Sequence, residues 1–347
     1  MDEMIRSLLS EPPPSAAAID EARRRLHEEI AGRRPRKRMT WRLSLATGGL
    51  AAVVAAGVAL AAGPTTPGVQ GVPAPPGPDA TAPQLLLAAA ERAAKPAGSG
   101  RYWRVLLITK SREEYMDGRA GRETFGIGSR HAQEAWLPKD PKDGNWAGTQ
   151  NLGVFPWSAE DRAAWERAGS PTQFEGVPNP PVKSPRSRPM TLSTNPRPGH
   201  LQQVDADWRV EVYNLWDPFE LAKLPSDPVA LRSAADAKLK ETGRDDNGDS
   251  LALYVMMTEL LKYAPATPEL RSAAFTVLSE IPEIRNLGER EDATGRKGIA
   301  LGYGDIYIIL NAEDYTILGY GLEGRDYDTS VIKLGWTDDK PAPPAME

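Results

Sequence analysis

The chain has no cysteine and only three histidines, His27, His131 and His200, in 347 residues. Without thiols there is no disulfide, no thiolate metal site and no lipid-modified cysteine. With so few histidines, a histidine-based metal cluster or catalytic triad has almost no material. Basic residues are also missing from one long stretch. Gly63 to Ala90 carry no Lys or Arg and a single acid, Asp79. That silence matters because of what precedes it.

Leu43 to Ala62 is an uncharged apolar run of 20 residues, long enough as a helix to cross the ~30 Å hydrocarbon layer of a bilayer. Leu43, Leu45, Leu50, Val53, Val54, Val58 and Leu60 supply a few kcal/mol of insertion energy at ~0.3 to 0.6 kcal/mol each, and Ser44, Thr47 and the glycines subtract from it. A cleavable export signal ending at Ala59-Leu60-Ala61 is the rival reading. Against it, the 42 residues before the run exceed a usual n-region, and the run exceeds an h-region of ~7 to 15 residues. A buried Ala-rich core helix fits less well, since neither flank has the mixed polar face of a soluble helix. Arg33, Arg34, Arg36, Lys37, Arg38 and Arg42 crowd one flank and no base follows the other, so the N-terminus is expected in the cytoplasm. Gly48, Ala52 and Ala56 form a small-residue stripe that would let two anchors approach as a homodimer, although Ala-rich segments give such spacing by chance.

Up to Arg42 there are ten basic and seven acidic residues, a surplus of +3, so the remainder carries −8 of the net −5. An acidic outer part argues against nucleic acid as a partner. Five regions are expected: a cytoplasmic tail (1–42), the transmembrane helix (43–62), a linker (63–83), an extracytoplasmic domain (84–338) and a disordered C-terminus (339–347). In the tail, Ile19, Ala22, Leu26 and Ile30 fall on one side of a helix capped by Ser15, a candidate seam for a protein partner. A mostly disordered tail is the alternative, since helices this short are marginal alone. The linker holds seven prolines and four glycines, a composition that favours extended spacer geometry.

The outer domain opens with a helix over 83–95, with Leu85, Leu86 and Leu87 directed to the core. Strands are expected at 101–110, 122–127 and 131–137, and a turn at Lys142 to Asn145. Ser170 to Gly199 is Pro-rich and basic, expected as an irregular loop. A strand over 208–215 leads to helices whose starts are marked by Asp217-Pro218, Asp227-Pro228 and Thr267-Pro268, with a further helix over 250–263. A closing meander is expected at 297–303, 305–310, 315–321 and 330–336. Strands, then helices, then strands indicate α+β: a short helical cytoplasmic tail, one transmembrane helix, and an extracytoplasmic antiparallel sheet with a central helical segment.

Several motifs tempt and fail. Gly319-x-Gly321-x-x-Gly324 has dinucleotide spacing but no apolar helix after it, and glycines of a meander explain it better. Asp245, Asn247 and Asp249 have calcium-loop spacing, yet Ser250 stands at the turn glycine and Met256 at the terminal carboxylate. Glu113, Glu114 and Asp117, and Glu289, Glu291 and Asp292, lie in expected turns where solvated charge is the ordinary role. The expectation is therefore no enzyme, no cofactor and no metal. Trp103, Trp136, Trp146 and Trp208 are candidate ligand-facing aromatics of a concave apolar surface; packing of a sheet face is their ordinary role.

The stretch Leu270 to Phe275, with Leu278, Ile281-Pro282, Asp292-Ala293-Thr294-Gly295-Arg296 and Gly298 to Leu301, resembles the C-terminal portion of a family of actinobacterial single-pass membrane proteins. Met1 to Met4 and Tyr102-Trp103 share the likeness, which covers most of the chain and is weakest over 138–199. The family has no assigned activity, and its genes often lie beside sigma factors of the envelope-stress type. The resemblance thus implies an anti-sigma-like membrane protein with a sigma factor as cytoplasmic partner. The tail lacks the His and Cys zinc pattern of one large anti-sigma class. Two functions follow as expectations: a membrane-anchored regulatory sensor, or a tethered envelope module that binds a lipid, peptide or wall fragment. A topology reporter fused after Glu347 is expected to be active only outside the cytoplasm. Cytoplasmic activity reverses the orientation, and a mature chain starting near Ala62 removes the anchor.

Overall fold

In the computed structural model the described residues are 80–93, 98–179, 190–205, 216–243, 250–324 and 326–346. The tail seam, the basic cluster, the run 43–62, Trp208 and the Asp245 loop lie outside them. Six α-helices are described, α1 (Ala82–Arg92), α2 (Ala159–Arg167), α3 (Pro218–Leu221), α4 (Pro228–Glu241), α5 (Leu251–Tyr263) and α6 (Pro268–Ser279), with one 3-10 turn at Pro141–Asp143. The strands are β1 (Tyr102–Ala120), β2 (Glu123–Pro138), β3 (Asn145–Pro156), β4 (Gln173–Pro178), β5 (Met190–Ser193), β6 (His200–Val204), β7 (Arg285–Glu291), β8 (Lys297–Tyr303), β9 (Ile306–Leu310), β10 (Ile317–Leu322) and β11 (Tyr327–Thr337).

The helix starts follow local chemistry. Asp217, Asp227 and Thr267 each accept a backbone N–H of the first turn and precede a proline whose missing N–H costs nothing there. At α1 the Gln84 side chain takes the Thr81 backbone N–H at 2.9 Å. Ala82, Leu85, Leu86, Ala89 and Ala90 are buried and Leu87 is exposed. Three consecutive residues at 100° steps cannot share one helical face, which corrects the expectation for Leu87.

All the strands join one antiparallel sheet in the order β6-β3-β2-β1-β11-β10-β9-β8-β7, with β4 beside the outer half of β1 and β5 beside β4. The join is the β1–β11 ladder, running from Tyr102 opposite Thr337 to Ser111 opposite Tyr327. It overturns the α+β expectation, because the early and late strands are halves of a single sheet. The described residues are 42% strand and 28% helix, and no helix among them is long and apolar enough to cross a membrane.

Strand alternation sends Trp103, Val105 and Leu107 of β1, and Ala135 and Leu137 of β2, toward α1 and α3 to α6, where they share one core with Leu231, Tyr254, Met257, Phe275 and Leu278. Leu106, Ile108, Ala132 and Leu152 face the opposite side. There the C-terminal residues, expected to be disordered, lie against the sheet. Met346 packs on that cluster, and its backbone N–H and C=O pair with the Gln150 side chain at 2.8 and 3.1 Å. Other departures have plain causes. Strands expected at 122–127 and 131–137 are one, β2. Glu113, Glu114 and Asp117 lie in β1 rather than a turn, because the β1–β2 hairpin runs on beyond the helix-covered core. The Pro-rich 170–199 stretch contains β4, paired to β1, and β5, paired to β4. Glu289 and Glu291 lie in β7, and Asp292 follows it.

On α5, Lys262 is buried beside Glu259, its ammonium 4.2 Å from the ring centroid of Tyr320 and 5.1 Å from that of Tyr263. Burial pushes its pKa down to about 8, and Glu259 opposes the shift. From pH 8 toward the ordinary lysine value the folded side chain is neutral while the unfolded one is protonated, so stability rises with pH. Above about pH 10 the sign reverses, because burial holds the Tyr254 and Tyr320 hydroxyls protonated after the unfolded chain has lost those protons. Urea titrations of the full chain are expected to show a midpoint that climbs from pH 8 to about 10 and then falls, and Lys262→Met is expected to abolish the climb. A flat parent profile over that window refutes the assignment.

Candidate functional site

Two faults in the β ladder create the site. Between β10 and β9 the register slips at Leu318, and between β11 and β1 it slips at Ile332. Each bulge removes a carbonyl from regular pairing. Arg296, just before β8, supplies the missing donors: its Nη2 reaches the Leu318 carbonyl at 2.8 Å and the Val331 carbonyl at 2.9 Å. The turn that delivers it is built on Asp292. One carboxylate oxygen accepts from Thr294 N (2.8 Å), Thr294 Oγ1 (2.8 Å) and Arg296 N (3.0 Å), and the other accepts from Arg296 Nε at 2.7 Å. Gly295 closes the turn at φ +85°, the left-handed region that glycine enters without strain. Burial pushes the Asp292 carboxyl up, but these hydrogen bonds outweigh it and hold it below the usual carboxylate range.

Beside the bulges lies a cavity of about 320 Å³, at the lower end of the ~300–1,000 Å³ range of small-molecule sites. Trp103, Phe275, Ile317 and Leu334 give it apolar walls, and Arg92, Arg271, Arg296 and Asp314 give it charge. Trp103 is fixed by its Nε1 donating to the Tyr263 carbonyl at 2.7 Å and by an edge contact with Trp336. Tyr315, also lining the cavity, is held at φ +57° in the β9–β10 turn. For a residue other than glycine this costs on the order of 1–2 kcal/mol. Asn311 and Asp314 enforce the turn by accepting the N–H groups of Glu313 and Thr316. The Tyr315 hydroxyl is buried with no hydrogen-bond partner among the described residues. Burial pushes its pKa up and nearby Arg92 opposes this, so it keeps its proton.

The three arginines differ in how far their charge is met. Arg296 is paired with Asp292. Arg92, at the end of α1, donates to the Glu313 carbonyl and lies 5.3 Å from the Tyr315 ring centroid. Arg271, on α6, donates to the Leu261 carbonyl at 3.2 Å and faces no carboxylate among the described residues. Burial lowers its pKa, the mark of a guanidinium whose charge is undercompensated.

Of the sequence-selected aromatics among the described residues, only Trp103 borders this cavity. Trp136 and Trp146 are cross-strand partners on the opposite face, Trp136 under Arg104 and Trp146 donating to the Asp143 carbonyl. Gly319 and Gly321 lie in β10, as a meander requires. A Cβ at Gly319 would fall 2.6 Å from the Thr329 carbonyl oxygen. No group of His, Asp and Glu able to hold a metal occurs among the described residues. Sequence reasoning did not select Arg92, Arg271, Arg296 or Tyr315 as site residues. Its nearest signal was that two stretches carrying the family resemblance, Leu270 to Phe275 and Asp292 to Arg296, both supply the cavity.

Comparison with family models, curated proteins and solved structures gives no match.

Asp292→Ala is expected to destabilise the protein by about 2–3 kcal/mol, as for hydrogen bonds to a charged group, discounted from a fully buried pair because the Arg296 side chain is 39% exposed. A depressed carboxyl pKa contributes stability above the ordinary carboxylate range and loses it as pH falls. Urea unfolding from pH 7 to 3 is therefore expected to show a shallower acid limb for Asp292→Asn than for the parent. Identical limbs would remove Asp292 as the organiser of this turn.

Proposed function

We propose that the chain is a membrane-anchored regulatory protein whose outer domain binds a small ligand in this cavity and relays occupancy to the cytoplasmic tail. The observation that carries it is where α1 ends. Arg92 and Ala93 line the cavity, and α1 is the first described element after the Pro/Gly-rich stretch that follows the apolar run 43–62. A ligand that engages Arg92 or displaces it from Glu313 and Tyr315 acts on the element that leads back toward the membrane. The apolar run supports the localisation, and the basic cluster before it supports a cytoplasmic N-terminus. The Ile19 to Ile30 seam supports a protein partner for the tail. On the family resemblance that partner is a sigma factor of the envelope-stress type.

A second reading, a tethered binding module without signalling, is favoured by the burial of five α1 residues, which holds the helix firmly to the core. Photocrosslinking from a probe at Ala22 in intact membranes separates the two. The regulatory reading expects a discrete adduct with a cytoplasmic protein. Leu26→Asp with Ile30→Asp should abolish it at unchanged membrane level, and Arg92→Ala should change its yield at least about twofold, the effect of roughly half a kcal/mol of coupling. An adduct indifferent to Arg92 leaves the binding module.

A further inference from the structure

We infer that the cavity takes a small organic oxyanion, a carboxylate or a phosphomonoester carried on a short apolar body, with Arg271 as its counter-charge and the Tyr315 hydroxyl as a hydrogen-bond donor. This rests on the reading that the cavity is the binding site and adds the chemistry of what enters it.

Charge selects the sign of the ligand. Three guanidinium groups and one carboxylate, Asp314, line the cavity, which repels a metal ion or an amine. Asp292 already satisfies Arg296 within its own turn. Asp314 is occupied by the backbone N–H and hydroxyl of Thr316 at 3.0 and 2.7 Å. Arg271 remains: a guanidinium carries five N–H donors in a planar fork suited to two oxygens of one oxyanion, and among the described residues a single one is used, on Leu261. A neutral ligand would bury that charge further without compensation, at a cost of several kcal/mol.

The hydroxyl selects an acceptor. A buried O–H without a partner costs about 1–3 kcal/mol, and although the hydroxyl is closed to solvent in this conformation, a bound oxygen recovers that cost once the Tyr315 ring turns it into the cavity. Tyr315 sits on the same cavity as Arg271 and is held there by a strained backbone, a combination that recurs where a side chain's position matters more than its comfort. A phenylalanine would fill the same space without leaving a polar atom unmet.

Size and walls select the rest. A volume of about 320 Å³ holds roughly ten waters, too little for an oligonucleotide or a folded peptide segment. Leu334, half-buried on the cavity wall, offers apolar surface that a bare inorganic ion would not use, with Trp103 and Phe275 packed behind the lining.

The full chain in phospholipid nanodiscs can be titrated calorimetrically with hexanoate, hexyl phosphate, hexanol and inorganic phosphate, with empty discs subtracted. Hexanoate or hexyl phosphate is expected to bind one per chain, at least about tenfold more tightly than hexanol. Which of the two is preferred identifies the headgroup. Arg271→Gln is expected to weaken binding by about 10–100-fold, the loss of a charge-assisted contact. Tyr315→Phe is expected to weaken it about three- to tenfold, the loss of one hydrogen bond, with the melting temperature unchanged or higher. That second variant keeps the test decisive if Arg271→Gln fails to fold. The inference is overturned if none of the four probes binds, if hexanol binds as well as hexanoate and hexyl phosphate, if inorganic phosphate matches hexyl phosphate, or if Tyr315→Phe binds like the parent. Oxyanion binding together with an Ala22 crosslink indifferent to Arg92 would uphold the ligand and remove the signalling role. An Arg92-dependent crosslink with no probe bound would do the reverse.

Discussion

The ladder between β1 and β11 is the constraint on which the rest of the structure depends. It pairs Trp103 with Trp336 and Ile108 with Ser330, residues more than two hundred positions apart, and so fuses the strands on either side of the helices. Without it each half would expose a sheet edge and lose part of the face on which α1 and α3 to α6 lie. Trp103 sits on this seam and ties it to the helices through the Tyr263 carbonyl. Joining such distant strands costs loop-closure entropy before the contact forms, and topologies dominated by non-local pairing fold slowly as a class.

The same seam explains the position of the cavity. A regular ladder would leave every carbonyl of β10 and β11 paired and bring β1, β10 and β11 into uniform contact. Bulges at Leu318 and Ile332 break that regularity, bend the strands and turn two carbonyls toward Arg296. The guanidinium satisfies both at once, and the Asp292 turn cancels its charge. The backbone irregularity is therefore held in place by one planar side chain, leaving Arg271, one layer away on α6, as a charge that no carboxylate among the described residues meets.

Features governed by neighbours in sequence were legible, and those governed by distant partners were not. Asp227-Pro228 and Thr267-Pro268 mark helix starts because capping is decided within four residues. The closing meander was legible because β8 to β11 alternate and turn locally. By contrast, Glu113 and Asp117 read as turn residues, since their strand character comes from pairing with β2 and β4. The Pro-rich 170–199 stretch hid β4 and β5 for the same reason. Trp103 and Trp136 look alike in the sequence, yet odd and even positions on paired strands send them to opposite faces. The cavity gathers Arg92, Arg271, Arg296 and Tyr315 from four separated segments, and no local pattern distinguishes them from ordinary surface arginines or a core tyrosine.

Charge at long range and charge at the site point in opposite directions. The chain beyond Arg42 carries a net −8, so it offers an approaching anion no general attraction, and the exposed pairs Arg119–Glu175, Arg167–Glu123 and Arg101–Asp143 cancel locally and contribute little. Selection for an anion must then come from contacts made inside the cavity, where burial weakens screening by salt and strengthens each hydrogen bond. Such a site trades fast capture for discrimination. An oxyanion that fits the fork of Arg271 and reaches Tyr315 gains the full local energy, and one that does not fit is held back by the field of the domain around it.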